Sequence, residues 1–273
     1  ISMGIIRNRL IQRILFWFEQ ICYQSSCKVV ALSEGMIKEL KKKQVPSKKL
    51  VLVPNACDFR EFELAAKAGE PDPFAEYRET PDTKICVYAG TLGLVNNIDY
   101  LINLGEQFRC QGLNTRIVII GKGSQEQRIK KKIEESALQN HVHILDPVPK
   151  RQLIPFINAA DACISTVQDV PALYNNSANK FFDALAAGRP IVINHGGWQA
   201  DVITENELGI VLTSDVAKSA QGLDSFLRRN NKADLEQKIK QFARNHYARD
   251  LLFNRLLNDA LLPCVERAEA NHN

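Results

Sequence analysis

Residues 84 to 120 read KICVYAGTLGLVNNIDYLINLGEQFRCQGLNTRIVII. The stretch opens and closes on short apolar, β-branched runs, KICVYA at 84–89 and TRIVII at 115–120. Neither run alternates apolar with polar residues, as a half-buried strand does, so both read as strands covered on two faces. Between them, Gly90-Thr91-Leu92-Gly93 makes a turn and IDYLINLGEQF carries helical periodicity. Strand, glycine turn, helix and strand form the unit from which parallel sheets are built.

The unit recurs downstream. Further strand-like runs are VHIL at 142–145, DACIST at 161–166, PIVIN at 190–194 and GIVL at 209–212. The helical patterns QEQRIKKKIEESAL, RQLIPFINAA and NKFFDALAAG lie between most of them. The expected fold is α/β: one doubly wound, Rossmann-like parallel sheet with helices on both faces. Upstream, residues 5–25 have helical periodicity. Ile6, Leu10, Ile14, Trp17, Phe18 and Ile21 lie on one side, and Arg7, Arg9 and Arg13 lie toward the other. A strand KVVAL at 28–32, a helix EGMIKELKKK with Ser33 as candidate cap, and a strand KLVLV at 49–53 follow. Residues 65–83, rich in Ala, Glu, Pro and Asp, read as a linker or surface segment, and the tail beyond 223 is helical.

The chain has 273 residues, enough for one large domain or two smaller ones. Its net charge of +4 is too weak to imply a nucleic-acid partner. Seven cysteines without a CxxC pair are expected as reduced, buried thiols in a cytoplasmic protein, not as a disulfide framework or zinc site. No apolar run reaches the length of about 18 residues that spans a bilayer. The start, Ile-Ser-Met-Gly, has no signal-peptide pattern, and the expectation is a piece of something longer.

In doubly wound sheets, ligands bind beyond the carboxyl ends of the strands, at helix N-termini. Gly90-Thr91-Leu92-Gly93 and Gly121-Lys122-Gly123-Ser124 follow two strands and place small residues where backbone amides can approach a phosphate or sugar. Tight-turn chemistry explains the same glycines. GKGSQE lacks the third glycine of a dinucleotide fingerprint, which argues against NAD.

YNNSANKFFDALAAGRP, residues 174–190, is more informative. Ser177 or Asn176 is the candidate cap of a helix from about 178 to 187, ended by Gly188 and Pro190. Phe181, Phe182, Leu185 and Ala186 should face the core, while Asn176, Lys180 and Asp183 share another face. A lysine in a first turn is disfavoured by about 0.3 to 1 kcal/mol against the helix dipole. An anion bound there reverses the sign. A plain Lys180–Asp183 surface pair is the competing explanation.

Several segments together resemble retaining GT-B glycosyltransferases of family 4. ALSEGMIKELKKKQVPSKKLVLVPNACDFREF is similar to their interdomain segment, and VYAGTLGLVNNIDYLINL to the first strand and glycine loop of the donor domain. IVIIGKGSQEQRIKK resembles its Gly-x-Gly turn, and HVHILDPVPKRQLIPFINAADACIST the segment that meets the base. NNSANKFFDALAAGRPIVIN resembles the stretch that carries the family's two acidic residues. The match runs over about 25–215, and the Asn-Lys before the aromatic pair looks like a bacterial polysaccharide-assembly subgroup using UDP-linked sugars.

The resemblance implies the following roles. Asp183 falls on the second acidic position and meets the ribose. Asn175 falls on the first, where a glutamate usually meets the donor sugar. The usual diphosphate-binding arginine and lysine fall on Thr91 and Asn96, both uncharged, so Lys180 becomes the replacement and Lys122 a helper. Catalytic roles thus go to Asn175 and Lys180. The donor is expected to lie against Gly90, Thr91, Gly93, Asn96, Gly121, Lys122, Val148, Ser177, Ala178, Asn179, Asp183, His195, Gly196 and Gly197. An exposed His195 without a role is an equal alternative. No metal or cofactor is implied, the nucleotide sugar being a substrate; the partners are that donor and a glycan or lipid-linked acceptor. The implied domains are 1–57, the end of an acceptor domain; 58–83, a linker; 84–246, the donor domain; and 247–273, a helix crossing back at about 249–262. A donor-domain fragment is expected to be inactive alone. A non-catalytic relative and a UDP-sugar epimerase are the other classes. The basic, aromatic N-terminal helix either meets a membrane face, packs on its own domain, or stays exposed and self-associates.

Overall fold

The computed structural model describes residues 8–67, 69, 71–229 and 231–270, so Ile6 and Arg7 lie outside the described residues. In chain order the elements are α1 (Arg9–Ser25), β1 (Val29–Ala31), α2 (Glu34–Lys42), β2 (Leu50–Leu52) and α3 (Phe59–Lys67). Then come β3 (Lys84–Ala89), α4 (Ile98–Cys110), β4 (Thr115–Ile120), α5 (Glu126–Glu135), β5 (Val142–Leu145), α6 (Lys150–Ala159) and β6 (Ala162–Ser165). The chain continues through α7 (Asn179–Ala187), β7 (Ile191–Ile193), α8 (Trp198–Asn206), β8 (Gly209–Val211), α9 (Val216–Arg229) and α10 (Lys232–Tyr247). It closes with α11 (Arg249–Arg255), a π turn over Leu256–Leu261 and α12 (Leu262–Ala270), so the expected last helix runs further than 262.

Six strands form one sheet in the order β5-β4-β3-β6-β7-β8, every pairing parallel. β3 shows why its sequence does not alternate. Ile85 and Val87 face one hydrophobic layer with Phe181, Phe182 and Ile193, while Cys86 and Tyr88 face the other with Leu101, Phe108 and Ile129. With both faces covered, a polar residue has no solvent side to occupy. The chain winds from β3 outward through β4 to β5, then returns beside β3 as β6 and winds the other way. The loops after β3 and β6 therefore diverge, and that divergence is where such sheets open a crevice.

β1 and β2 form a separate parallel pair with α2, and Ser33 caps α2 by accepting from Met36 N at 3.2 Å, as expected. Within the expected linker, residues 72–83 are held more firmly than composition suggests. Phe74 is fully buried, and Arg78 bonds Asp161 at 3.1 Å and the Ala159 carbonyl at 3.2 Å. The packing of Trp17 and Phe18 on their own domain does not occur: they are 65% and 61% exposed. α1 attaches instead through Glu19, which takes a bond from Lys43 at the end of α2 at 2.6 Å, and through Tyr23, which packs on the small cluster of Ala31, Leu40 and Val45. Among the described residues no helix is long and apolar enough to cross a membrane. Only Cys57, Cys86 and Cys163 are buried; Cys22 and Cys110 are exposed, and Cys27 and Cys264 half-buried. Cys22, Cys110 and Cys264 sit on helices and Cys27 two residues before β1, all outside the buried clusters of the sheet.

Candidate functional site

α7 is built by its apolar face: Phe181, Phe182, Leu185 and Ala186 are buried, and Gly188 ends the helix at φ 70° with Arg189 N bonded back to Ala184 O at 2.9 Å. Its start differs from expectation. Neither Ser177 nor Asn176 caps it; the N-cap is Ala178, which offers no side-chain acceptor. The helix begins one residue later than the sequence suggests. Ser177 is buried with its hydroxyl unpartnered, and its carbonyl accepts from Asn55 Nδ2 at 2.9 Å. Asn55 Nδ2 also reaches Asn179 Oδ1 at 3.0 Å, tying the loop after β2 to the first residue of α7. The first-turn amides of α7 are left without a side-chain cap, the condition for an anion site.

Lys180 stands in that first turn. Its Nζ lies 4.6 Å from the centroid of the Tyr88 ring and 3.4 Å from Tyr88 Oη. Burial alone lowers its pKa to about 8, because no carboxylate among the described residues lies close enough to offset it. The Lys180–Asp183 pair does not form. Asp183 instead bonds Lys150, at the start of α6, at 2.9 Å. Its carboxyl is pushed up by burial, with Lys150 opposing and Asp58 and Glu61 adding to the rise. One helical turn thus carries a cation turned toward β3 and an anion turned toward α6. Val148, between β5 and α6, is half-buried against the core beside that contact.

The two glycine loops pack on each other. Leu92 N donates to Lys122 O at 3.0 Å and Gln125 N to Leu92 O at 3.0 Å. A Cβ on Gly121 would fall 2.0 Å from Gly90 O, and one on Gly123 would fall 2.5 Å from Leu92 O. Those glycines are required by backbone contact. Gly90 differs, because a Cβ there would meet Lys180 Nζ at 3.0 Å. Gly93 has room around it. Thr91 is exposed, and its carbonyl accepts from Tyr88 Oη at 2.9 Å and Asn96 Nδ2 at 2.7 Å. Lys122 is exposed.

His195 is not an exposed loop residue. It is buried and stacked on Tyr174 with ring centroids 5.8 Å apart, its Nδ1 2.8 Å from Gly196 O, and desolvation lowers its pKa. Gly197, at φ 92°, admits the same tyrosine: a Cβ would fall 2.6 Å from Tyr174 O. Asn175 is placed apart from Lys180. Its carbonyl accepts from Ser33 Oγ at 2.9 Å, and its amide lies against Gly35, where a Cβ would fall 1.8 Å from Oδ1. It borders two clefts of about 580 and 510 Å³, neither of them lined by Lys180 or Asp183.

The structure therefore brings together Gly90, Thr91, Asn96, Lys180 and the unforeseen Tyr88 above the sheet's switch point. Asp183 and Asn179 sit nearby on α7, held by Lys150 and Asn55, which sequence reading also missed. No local signal marks those partners, since each lies on another element.

The model of the family Glycosyl transferases group 1 matches residues 70–246. The chain belongs to that family. An uncharacterized glycosyltransferase of Methanocaldococcus jannaschii is 23% identical over 212 residues, 77% of this chain and 53% of the relative. Escherichia coli WcaI, whose name assigns it to glycosyl transfer in colanic acid biosynthesis, is 24% identical over 64% of this chain and 42% of its own length. The chain thus spans about half the length of these curated relatives. Anabaena HepE, solved with UDP and glucose, superposes with a TM-score of 0.66 over 87% of this chain and 64% of its own, at 14% identity. The fold is the GT-B type of α/β domain, as the sequence suggested.

Proposed function

We propose that this chain supplies the donor site of a retaining family 4 glycosyltransferase, which moves a hexosyl unit from a UDP-linked sugar to a glycan or lipid-linked acceptor in bacterial polysaccharide assembly. The observation that carries the reading is Lys180, a half-buried ammonium with no carboxylate partner among the described residues, in the uncapped first turn of α7 beside the loop after β3. A diphosphate there gains the cation and the free amides together.

In the proposed reaction the bond from the anomeric carbon to the diphosphate oxygen breaks, and a bond to the acceptor oxygen forms on the same face. The acceptor proton passes to the departing diphosphate. Lys180 and the α7 amides stabilise the charge that develops there, Asp183 anchors the ribose, and Asn175 orients the sugar. A catalytic carboxylate pair is not needed, which suits an asparagine at 175. Residues 8–25, with an exposed aromatic and basic surface, face the acceptor membrane in this reading.

A non-catalytic nucleotide-binding relative is the second reading, favoured by the contact of Asn175 with Gly35 rather than with α7. Calorimetric titration with UDP, GDP and ADP tests the first. UDP should bind, and Lys180→Ala should weaken it by about tenfold or more, the worth of a charge-assisted contact. Lys122→Ala should cost far less. No nucleotide binding, or an unchanged affinity in Lys180→Ala, overturns the assignment. Acceptor-dependent release of UDP by the full-length protein separates transfer from binding alone and from epimerisation.

A further inference from the structure

We propose that Tyr88 is a positioning residue: its ring and hydroxyl hold the Lys180 ammonium over the end of β3, so that an incoming diphosphate meets a cation already in place. The proposal rests on the donor-site reading of Lys180. Tyr88 is fully buried, one residue from the end of β3. Its single hydroxyl proton goes to Thr91 O at 2.9 Å, which leaves the oxygen lone pairs free to accept from Nζ at 3.4 Å. The ring presents its π face to the same ammonium, 4.6 Å from the centroid.

A free lysine side chain carries about 2 kcal/mol of rotamer entropy. Holding it before the ligand arrives removes part of that cost from binding. Among the described residues the phenol is the side chain that holds Nζ. Gly90 contributes no side chain. Thr91 contributes an exposed, uncharged one. On α7 itself, Asp183 is engaged with Lys150. Lys122, on the next loop, is exposed. His195, beyond β7, lies against Tyr174. Burial keeps the phenol protonated, so it does not become a counter-ion.

Tyr88→Phe keeps the ring and the buried volume, and Thr91 O retains Asn96 Nδ2 as a donor, so the loop keeps one of its two ties. UDP titration of the full chain should show about fivefold weaker binding in Tyr88→Phe, the worth of one lost hydrogen bond. In a Lys180→Ala background the same change should alter the affinity less than about twofold, the mark of a residue acting through another. Equal weakening in both backgrounds, or none in the wild type, overturns the proposal.

A second measurement stands without any ligand. The titration of Lys180, followed by 13C NMR at its ε carbon, should move to lower pH in Tyr88→Phe, because the ammonium loses an acceptor. An unmoved titration overturns the positioning role. If the wild-type chain does not bind UDP, the donor-site reading fails, and the ligand-free titration still decides whether Tyr88 holds the cation.

Discussion

Gly121→Ala asks whether the glycine loops exist for a ligand or for each other. The added methyl would stand 2.0 Å from Gly90 O and 3.0 Å from Gly90 C. Ordinary contact begins at 3.4 Å, so the carbonyl would have to retreat by 3.4 − 2.0 = 1.4 Å. The obstacle is backbone, so no rotamer change relieves it. Overpacking of this kind costs about 1–3 kcal/mol. A non-glycine residue at φ 152° adds strain of about 1–3 kcal/mol. The expected loss is about 3 kcal/mol, a fall in Tm of about 6–12 °C for a domain of this size. Gly93→Ala is the control, since its φ is −112° and its methyl would meet only Thr91 Cγ2 at 3.7 Å and Asn96 Nδ2 at 3.9 Å. That variant should stay within about 0.5 kcal/mol of wild type. Urea denaturation and thermal melts of both proteins decide it. If Gly121→Ala is as stable as wild type, or Gly93→Ala loses as much, loop-on-loop packing is not what requires the glycine.

Asp161, at the base of β6, accepts from Arg78 at 3.1 Å, Lys232 at 3.2 Å and Ile85 N at 2.9 Å, and these partners outweigh burial to lower its pKa below 3.8. Asp161→Asn should cost about 2 kcal/mol at pH 7 in urea denaturation, and the penalty should shrink as pH falls below 3.8, where the native carboxylate also becomes protonated. Lys180→Met should do the reverse. The folded pKa of about 8 lies below the lysine value of 10.5, so at pH 7 the buried ammonium opposes folding, and stability recovers as pH rises through that window. The methionine variant should be about 2 kcal/mol more stable than wild type at pH 7, with the gap narrowing as pH rises from 8 and closing only above 10.5. Equal stability at pH 7 would mean that the ammonium is not desolvated.

Much of the fold was legible because its strands are buried on both faces. KICVYA, TRIVII and VHIL coincide with β3, β4 and β5 to the residue; β4 is buried throughout and β3 at its four central positions, while β5, at the sheet edge, is half-buried and still reads as an apolar run. Where a boundary depends on one competing hydrogen bond, the reading slipped. Ser177 was expected to cap α7, yet its carbonyl is taken by Asn55, 122 positions away, and its hydroxyl turns inward. The apolar side of α1 was legible as a stripe, but not what it faces. Its polar residues found Lys43, and the stripe was left outside. At the site, Lys180 announced itself by opposing the helix dipole, an intrinsic conflict visible in nine residues of sequence. Tyr88 gave no such sign. A tyrosine inside a core strand looks like packing, and its contact with Lys180 spans 92 positions.

The conflict at Lys180 is also the reason to assign it a function. A folded domain without a ligand gains nothing from a desolvated cation at the positive end of a helix, and a methionine would fill the same space without the penalty. Structural ion pairs do not account for it, because Asp183, the carboxylate one turn away, is committed to Lys150. Nor does side-chain packing against the loop after β3, because Gly90 presents only backbone to the amine, and a Cβ there would stand 3.0 Å from Nζ. What remains is a group whose unfavourable setting turns favourable when an anion arrives, and the uncapped amides of α7 await the same anion. With Thr91 and Asn96 uncharged and engaged with each other, the loop after β3 contributes no second cation. Affinity for a diphosphate should therefore depend on a single side chain, which makes this site more sensitive to one substitution than a site with three basic residues.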